Sequence, residues 1–239
     1  MIIIPAVDIS KGKCVRLVRG KIEESIIYYE DPLFAAKKWE EEGAELLHII
    51  DLDAALGIGN NYDVIKRIIK EIKIPIQVGG GIRNLEIAKN YLDIGAERVI
   101  LGTAALELNI IRNALINFGS DRIMAAVDHV MGRVAIKGWK ELLELNAELL
   151  CKNLIELGVK KILMTSIDRD GTLKGPNLAY SLRIASSLPA EFYLAGGFSR
   201  IEEIISLKRT NIAGVIIGRA LYEGLIDFKK AKEVLKIVN

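Results

Sequence analysis

Short apolar runs rich in β-branched residues alternate along the chain with longer stretches of helical periodicity. The runs at 2–7, 46–51, 75–78, 98–101, 123–127, 161–165, 191–195 and 214–217 read as strands. The stretches near 32–42, 61–72, 84–94, 107–117, 144–157, 177–187, 199–208 and 228–237 read as helices. Asp31-Pro32 and Asn84 carry helix-start chemistry, and Gly43, Gly95 and Gly158 stand where helices end. The strands are apolar throughout rather than alternating, the pattern of a parallel sheet covered on both faces. Eight such units predict an α/β fold closed into a (β/α)8 TIM barrel, with an open doubly wound sheet as the alternative.

The pattern also repeats. Ile4-Pro5-Ala6-Val7-Asp8 is echoed by Met124-Ala125-Ala126-Val127-Asp128, at an offset of 128 − 8 = 120. His48 to Asp53 aligns with Thr165 to Asp170 at 168 − 51 = 117, which sets Thr165 opposite His48. Gly79-Gly80 aligns with Gly196-Gly197, and Gly102 with Gly218 at 218 − 102 = 116. The expected organisation is one barrel domain, 1–239, assembled from half-barrels of about 1–120 and 121–239. Closure favours the barrel over the open sheet.

Composition narrows the function classes. Net charge is +2, from 33 basic and 31 acidic side chains, which argues against a nucleic-acid surface while leaving room for local phosphate pockets. Cys14 and Cys151 form no metal-spaced cluster, and His48 and His129 are the only histidines. The first apolar run lacks a basic leader, and no run approaches the ~18 residues of a membrane helix. A cytoplasmic protein is expected, with a small-molecule substrate and no nucleic acid, membrane or obligatory protein partner.

In such barrels functional groups gather at the C-terminal ends of the strands. Gly79-Gly80-Gly81 and Gly196-Gly197 each follow a strand, where backbone N–H groups can approach an anion. Gly102-Thr103 and Gly218-Arg219 begin the next unit in each half. Two phosphate sites in register predict a ligand with a phosphate at each end. Asp8 and Asp128 end equivalent strands, and opposed carboxylates suit general acid–base work. With no metal set, no Gly-x-Ser-x-Gly and no dinucleotide fingerprint, cofactor-free proton transfer is the simplest chemistry, and an isomerisation fits.

Other positions stay open. Thr165 either orients a sugar oxygen or makes a strand-end hydrogen bond. His48 reads as a structural histidine more readily than as a catalyst. Asp51, Asp168 and Asp170 line the mouth and bind ribose hydroxyls, or steady loops. Trp139 stacks on a planar heterocycle or packs. Arg16 contacts a phosphate or carboxamide, or lies in solvent, and His129 should face away from the pocket.

These motifs make the chain similar to a known family. Ile4–Asp8, Gly12-Lys13-Cys14-Val15-Arg16-Leu17 with Gly20, Val78-Gly79-Gly80-Gly81-Ile82-Arg83, Gly132–Trp139, Asp168-Arg169-Asp170-Gly171-Thr172 and Val215–Ala220 resemble the ribotide isomerases of histidine biosynthesis. The resemblance spans residues 1 to roughly 225. It implies a (β/α)8 barrel that turns an aminoaldose ribotide bearing two phosphates into the aminoketose, an Amadori rearrangement. Carried over by motif, Asp8 is the general base, Asp128 the general acid, and Thr165 assists at the ribose. The family has a small and then a basic residue after the second aspartate, where this chain has His129 and Val130, so the loop contact from position 130 is in question. The sister cyclase of the pathway usually has Pro-Cys-Leu-Asp in strand 1 and a lysine after its Gly-Arg-Val, against Pro5-Ala6-Val7-Asp8 and Arg16 here. No loop declares a second activity on phosphoribosyl anthranilate.

Overall fold

The computed structural model describes residues 1–18 and 21–237. Gly20 of the first-loop motif lies outside the described residues. Twelve strands run in chain order: β1 (Ile2–Ser10), β2 (Lys13–Val18), β3 (Lys21–Tyr29), β4 (Leu47–Asp51), β5 (Ile76–Gly79), β6 (Arg98–Leu101), β7 (Ile123–Val130), β8 (Arg133–Ile136), β9 (Glu141–Asn146), β10 (Lys161–Ser166), β11 (Glu191–Ala195) and β12 (Ile212–Ile217). Eight of them, β1, β4, β5, β6, β7, β10, β11 and β12, pair only in parallel with one another. The β10–β7 and β12–β1 ladders close the ring. A parallel strand feeds the next only through a crossover, and helices supply it on the outside. This is the (β/α)8 barrel.

Burial follows from that closure. Inward side chains Ile4, Ala6, Leu46, Ile100, Met124, Leu163, Tyr193 and Ile216 fill the barrel. A larger cluster, including Val7, Trp39, Ile65, Phe192 and Phe228, lies between strands and helices. Asp31 and Asn84 cap helices through their side chains, as their sequence positions imply, and Asn146 does so too. Among the described residues no helix is long and apolar enough to cross a membrane.

Two features depart from the expected pattern. Each of the two long βα loops folds as an antiparallel hairpin, β2–β3 after β1 and β8–β9 after β7. The helix expected over 144–157 therefore begins only at Ala147, because Glu141–Asn146 pair with β8. The helix expected over 199–208 is one short stretch, Ile201–Ile205.

The second correction concerns the repeat. Asp8 pairs in register with Ile50, and Asp128 with Thr165. Ile50 in turn pairs with Gly79, and Thr165 with Ala195. The structural counterpart of Thr165 is thus Ile50, at 165 − 50 = 115, and that of His48 is Leu163. Thr165 does not occupy the position of His48. The Asp-x-Asp echo begins at the last residue of β4 in the first copy but two residues beyond the end of β10 in the second, so its offset does not report strand register.

Candidate active site

One cavity opens at the C-terminal ends of the barrel strands. Asp8, Arg16, Asp128, Trp139, Thr165 and Asp170 all reach its wall, as do the glycines 79–81, 102, 196–197 and 218. Asp8 stands near the end of β1. The hairpin that follows turns Arg16 back onto it, and the guanidinium bridges Asp8 and Asp170 with one amino group to each carboxylate. All three side chains are nearly buried. Burial works against the Arg16 charge, but Asp170 and Asp8 outweigh it and hold the guanidinium firmly protonated. Burial, reinforced by Asp8, pushes the Asp170 carboxyl up despite Arg16.

The bridge depends on a glycine. A Cβ at Gly218 would lie 3.1 Å from Nη1 of Arg16, so the missing side chain makes room for the guanidinium. Among the described residues, Nε of Arg16 is buried without a partner. Arg16 therefore joins three things in one place: the first aspartate, a third carboxylate and a glycine turn read as a phosphate cradle. The sequence offered Arg16 and Asp170 separately. Their contact spans 154 positions and has no local signature.

Asp128 is held from the opposite loop. Nε1 of Trp139 donates to its Oδ2 at 2.8 Å. Burial pushes the Asp128 carboxyl up, against hydrogen bonds from Trp139 and Thr165. Trp139 has φ +69°, after Lys137 at +56° and Gly138 at +64°. Two non-glycine residues in this left-handed run mark a strained loop at the mouth, of the kind that collects at functional sites. Trp139 hydrogen-bonds rather than stacks, and Thr165 stands in register beside Asp128 on the neighbouring strand.

The glycine turns match between halves. Gly80 (φ +95°) and Gly196 (φ +102°) press their Cα atoms onto neighbouring backbone. A Cβ would come 2.2 Å from the Asp51 carbonyl oxygen at the first and 2.6 Å from that of Ser166 at the second. Gly102 and Gly218 share an unusual conformation, with ψ −98° in both. Thr103 accepts from the backbone N–H of Lys137 at 3.1 Å. Arg219 pairs with Glu223 and donates to the Gly171 carbonyl. Arg83 and Lys137, neither singled out as ligand contacts from sequence, also reach the cavity wall. Their signal was a basic residue shortly after a glycine run or within a glycine-flanked turn.

Two expected mouth residues, Asp51 and Asp168, lie elsewhere, and His129 faces away as expected. Asp51 is fully buried and accepts from Ala54 N and from both nitrogens of Asn61, closing the turn after β4. It steadies a loop. Asp168 faces Arg169 at 3.5 Å and does not reach the cavity. His129 points outward to Ser181, as strand alternation requires. Both cysteine thiols are buried, which raises each to about 12 and leaves no thiolate. Among the described residues no cluster of His, Cys, Asp or Glu is placed to hold a metal.

Against this geometry, residues 2–227 match the model of a family described as histidine biosynthesis protein. The chain belongs to that family. It is 48% identical over 237 residues to the 1-(5-phosphoribosyl)-5-((5-phosphoribosylamino)methylideneamino) imidazole-4-carboxamide isomerase of Methanocaldococcus jannaschii, covering 99% of this chain and 100% of that protein. The enzymes of the same name from Ruminiclostridium cellulolyticum and Methanothermobacter thermautotrophicus are 43% and 42% identical, each over 97% of this chain and 98% and 97% of their own. Members of the family share the histidine pathway, and the isomerase relatives match this chain end to end.

Proposed function

We propose that this protein is the aldose–ketose isomerase that converts the bis-phosphorylated aminoaldose ribotide of histidine biosynthesis to its aminoketose, an intramolecular oxidoreductase working without a cofactor. One observation carries the reading: two carboxylates from equivalent strands face a single cavity flanked by two matched pairs of glycine turns. The near-complete coverage of isomerases of that name supports it.

In this mechanism the phosphates settle at the two ends and the sugar that reacts lies between Asp8 and Asp128. Asp128, whose proton burial helps retain, donates as the ring opens to a protonated imine. Asp8 removes the C2′ proton, and the resulting enolamine tautomerises to the ketose. Arg16 covers Oδ2 of Asp8. A phosphate arriving beside Gly218 competes for that guanidinium and uncovers the base. Asp170, the other partner of Arg16, then shares the redistributed charge.

Purified protein given the aminoaldose should form the ketose without ammonia, glutamine or added metal. Asp8→Asn and Asp128→Asn should each fold and bind substrate yet lose at least about 10²–10⁴-fold in turnover, the usual contribution of a general acid or base. The loss should fall on kcat more than on KM. A folded Asp8→Asn variant with near-normal turnover removes Asp8 from the mechanism.

A further inference from the structure

His48, Gln77 and Arg98 stand side by side on three adjacent strands, His48 in register with Gln77 and Gln77 with Arg98. All three are buried. Nε of Arg98 donates to Oε1 of Gln77 at 2.7 Å, and Nε2 of Gln77 lies 2.7 Å from Nδ1 of His48. A guanidinium has donors only, so the amide oxygen must face Arg98. The amide nitrogen then faces His48, and since it too is a donor, Nδ1 must accept. A neutral ring in that position carries its proton on Nε2.

The ring is neutral. Burial, with the charges of Arg16 and Arg98, brings His48 down to about 3. Its side chain reaches the cavity wall among the apolar side chains of Ala6, Ile100, Ala126, Leu163 and Ile216. Among the described residues nothing accepts from Nε2. Nε2 is not among the buried unpartnered atoms, so this oriented N–H is open to the cavity and free to meet a ligand oxygen there. The counterpart in the other half is Leu163, so this donor exists on one side only.

We propose that His48 is a neutral hydrogen-bond donor to a sugar oxygen at the reacting carbons, oriented by Gln77 and, through it, by Arg98. Gln77 and Arg98 are positioning residues. The proposal rests on the isomerase reading for the acceptor, but not for the tautomer. A neutral donor suits the chemistry. The C2′ oxygen changes from hydroxyl to carbonyl and gains most from a donor as it does so. An imidazolium in the same place would oppose the cationic imine on the adjacent carbon. Neutral imidazole used as an electrophile is an established solution to this kind of problem in sugar isomerisation.

The chain has only two histidines, so 15N-histidine labelling gives two separable rings. Long-range 1H–15N spectra of the whole protein should show His48 as the Nε2–H tautomer, unchanged from about pH 5 to 8. Gln77→Glu replaces the donor with an acceptor and should move the proton to Nδ1 or charge the ring, with kcat falling about tenfold or more and KM changing little. If that variant fails to fold, Gln77→Met should mix the tautomers, and His48→Gln should recover turnover that His48→Leu loses. An Nδ1–H ring in the wild type overturns the proposal. So does full turnover in a Gln77→Glu protein whose tautomer has moved, or equal turnover in the Gln and Leu variants at 48. A wild type that forms no ketose overturns the isomerase reading and the sugar acceptor with it, whatever the tautomer.

Discussion

The indole nitrogen of Trp139 donates to Oδ2 of Asp128 across 2.8 Å. The bond ties a left-handed stretch of loop to a strand-end carboxylate, so the loop's position and the acid's proton affinity are linked. A hydrogen bond to a carboxylate lowers its pKa, here against burial.

Trp139→Phe should therefore raise the Asp128 pKa further. The pH–rate limb set by loss of the acid's proton should move to higher pH. A bond to a charged group is worth about 1.5–3 kcal/mol, so its loss should move the limb by a readable amount. A pH profile of kcat/KM checks it. An unmoved limb means that the bond is already broken in the reacting complex.

Asp128→Asn should stabilise the protein at neutral pH. Folding raises the pKa of Asp128, so stability falls as the pH rises from the unfolded value to the folded one, and the loss is complete above it. Below the unfolded value of 3.8 both states are protonated and the cost disappears. Thermal midpoints of the two proteins should differ in favour of Asn at pH 7 and converge near pH 3. A variant less stable at both pH values contradicts the assignment.

His48 makes the opposite contribution. Its folded pKa lies below the unfolded 6.5, so the unfolded chain takes up a proton that the folded ring refuses. Stability present above pH 6.5 is lost as the pH falls towards about 3. Urea unfolding should show wild type losing about 2 kcal/mol more than His48→Gln between pH 7 and 5, from a slope of about 1.4 kcal/mol per unit over the 1.5 units below 6.5. Equal losses would place the ring in contact with water.

The two ends of the cavity should be separable. Arg219→Ala should weaken binding of a ligand carrying one phosphate, and Arg83→Ala that of a ligand carrying the other. Each loss should be about 10–100-fold, the worth of a charge-assisted bond. Calorimetry with the two single-phosphate fragments reads this directly. Equal sensitivity of both fragments to both variants would sink the two-ended site.

The barrel was legible because its strands are apolar on both faces and end in chemistry: Asp8, Gly79 and Asp128 stand where apolar runs stop. The hairpins were not. Leu142, Leu143 and Leu145 among Glu141, Glu144 and Asn146 satisfy a helical period and a strand about equally, and pairing with β8 decides it. The aspartates were found because both copies carry them. The Arg16 bridge was missed because two of its three members are brought together only by closure of the ring. The mistaken pairing of His48 with Thr165 came from matching Asp51, which ends β4, with Asp168, which lies in the loop after β10, instead of positions within the ladder.

That two-residue slip in the repeat has a further consequence. A substrate with a phosphoribosyl group at either end could enter a perfectly doubled barrel two ways round, and half of the bound molecules would present the wrong sugar. The cradles are alike, but the floor between them is not: Thr165 stands where the first half has Ile50, and His48 where the second half has Leu163. In the proposed function duplication supplies the grip at both ends, and the positions where the copies have drifted apart distinguish one end from the other.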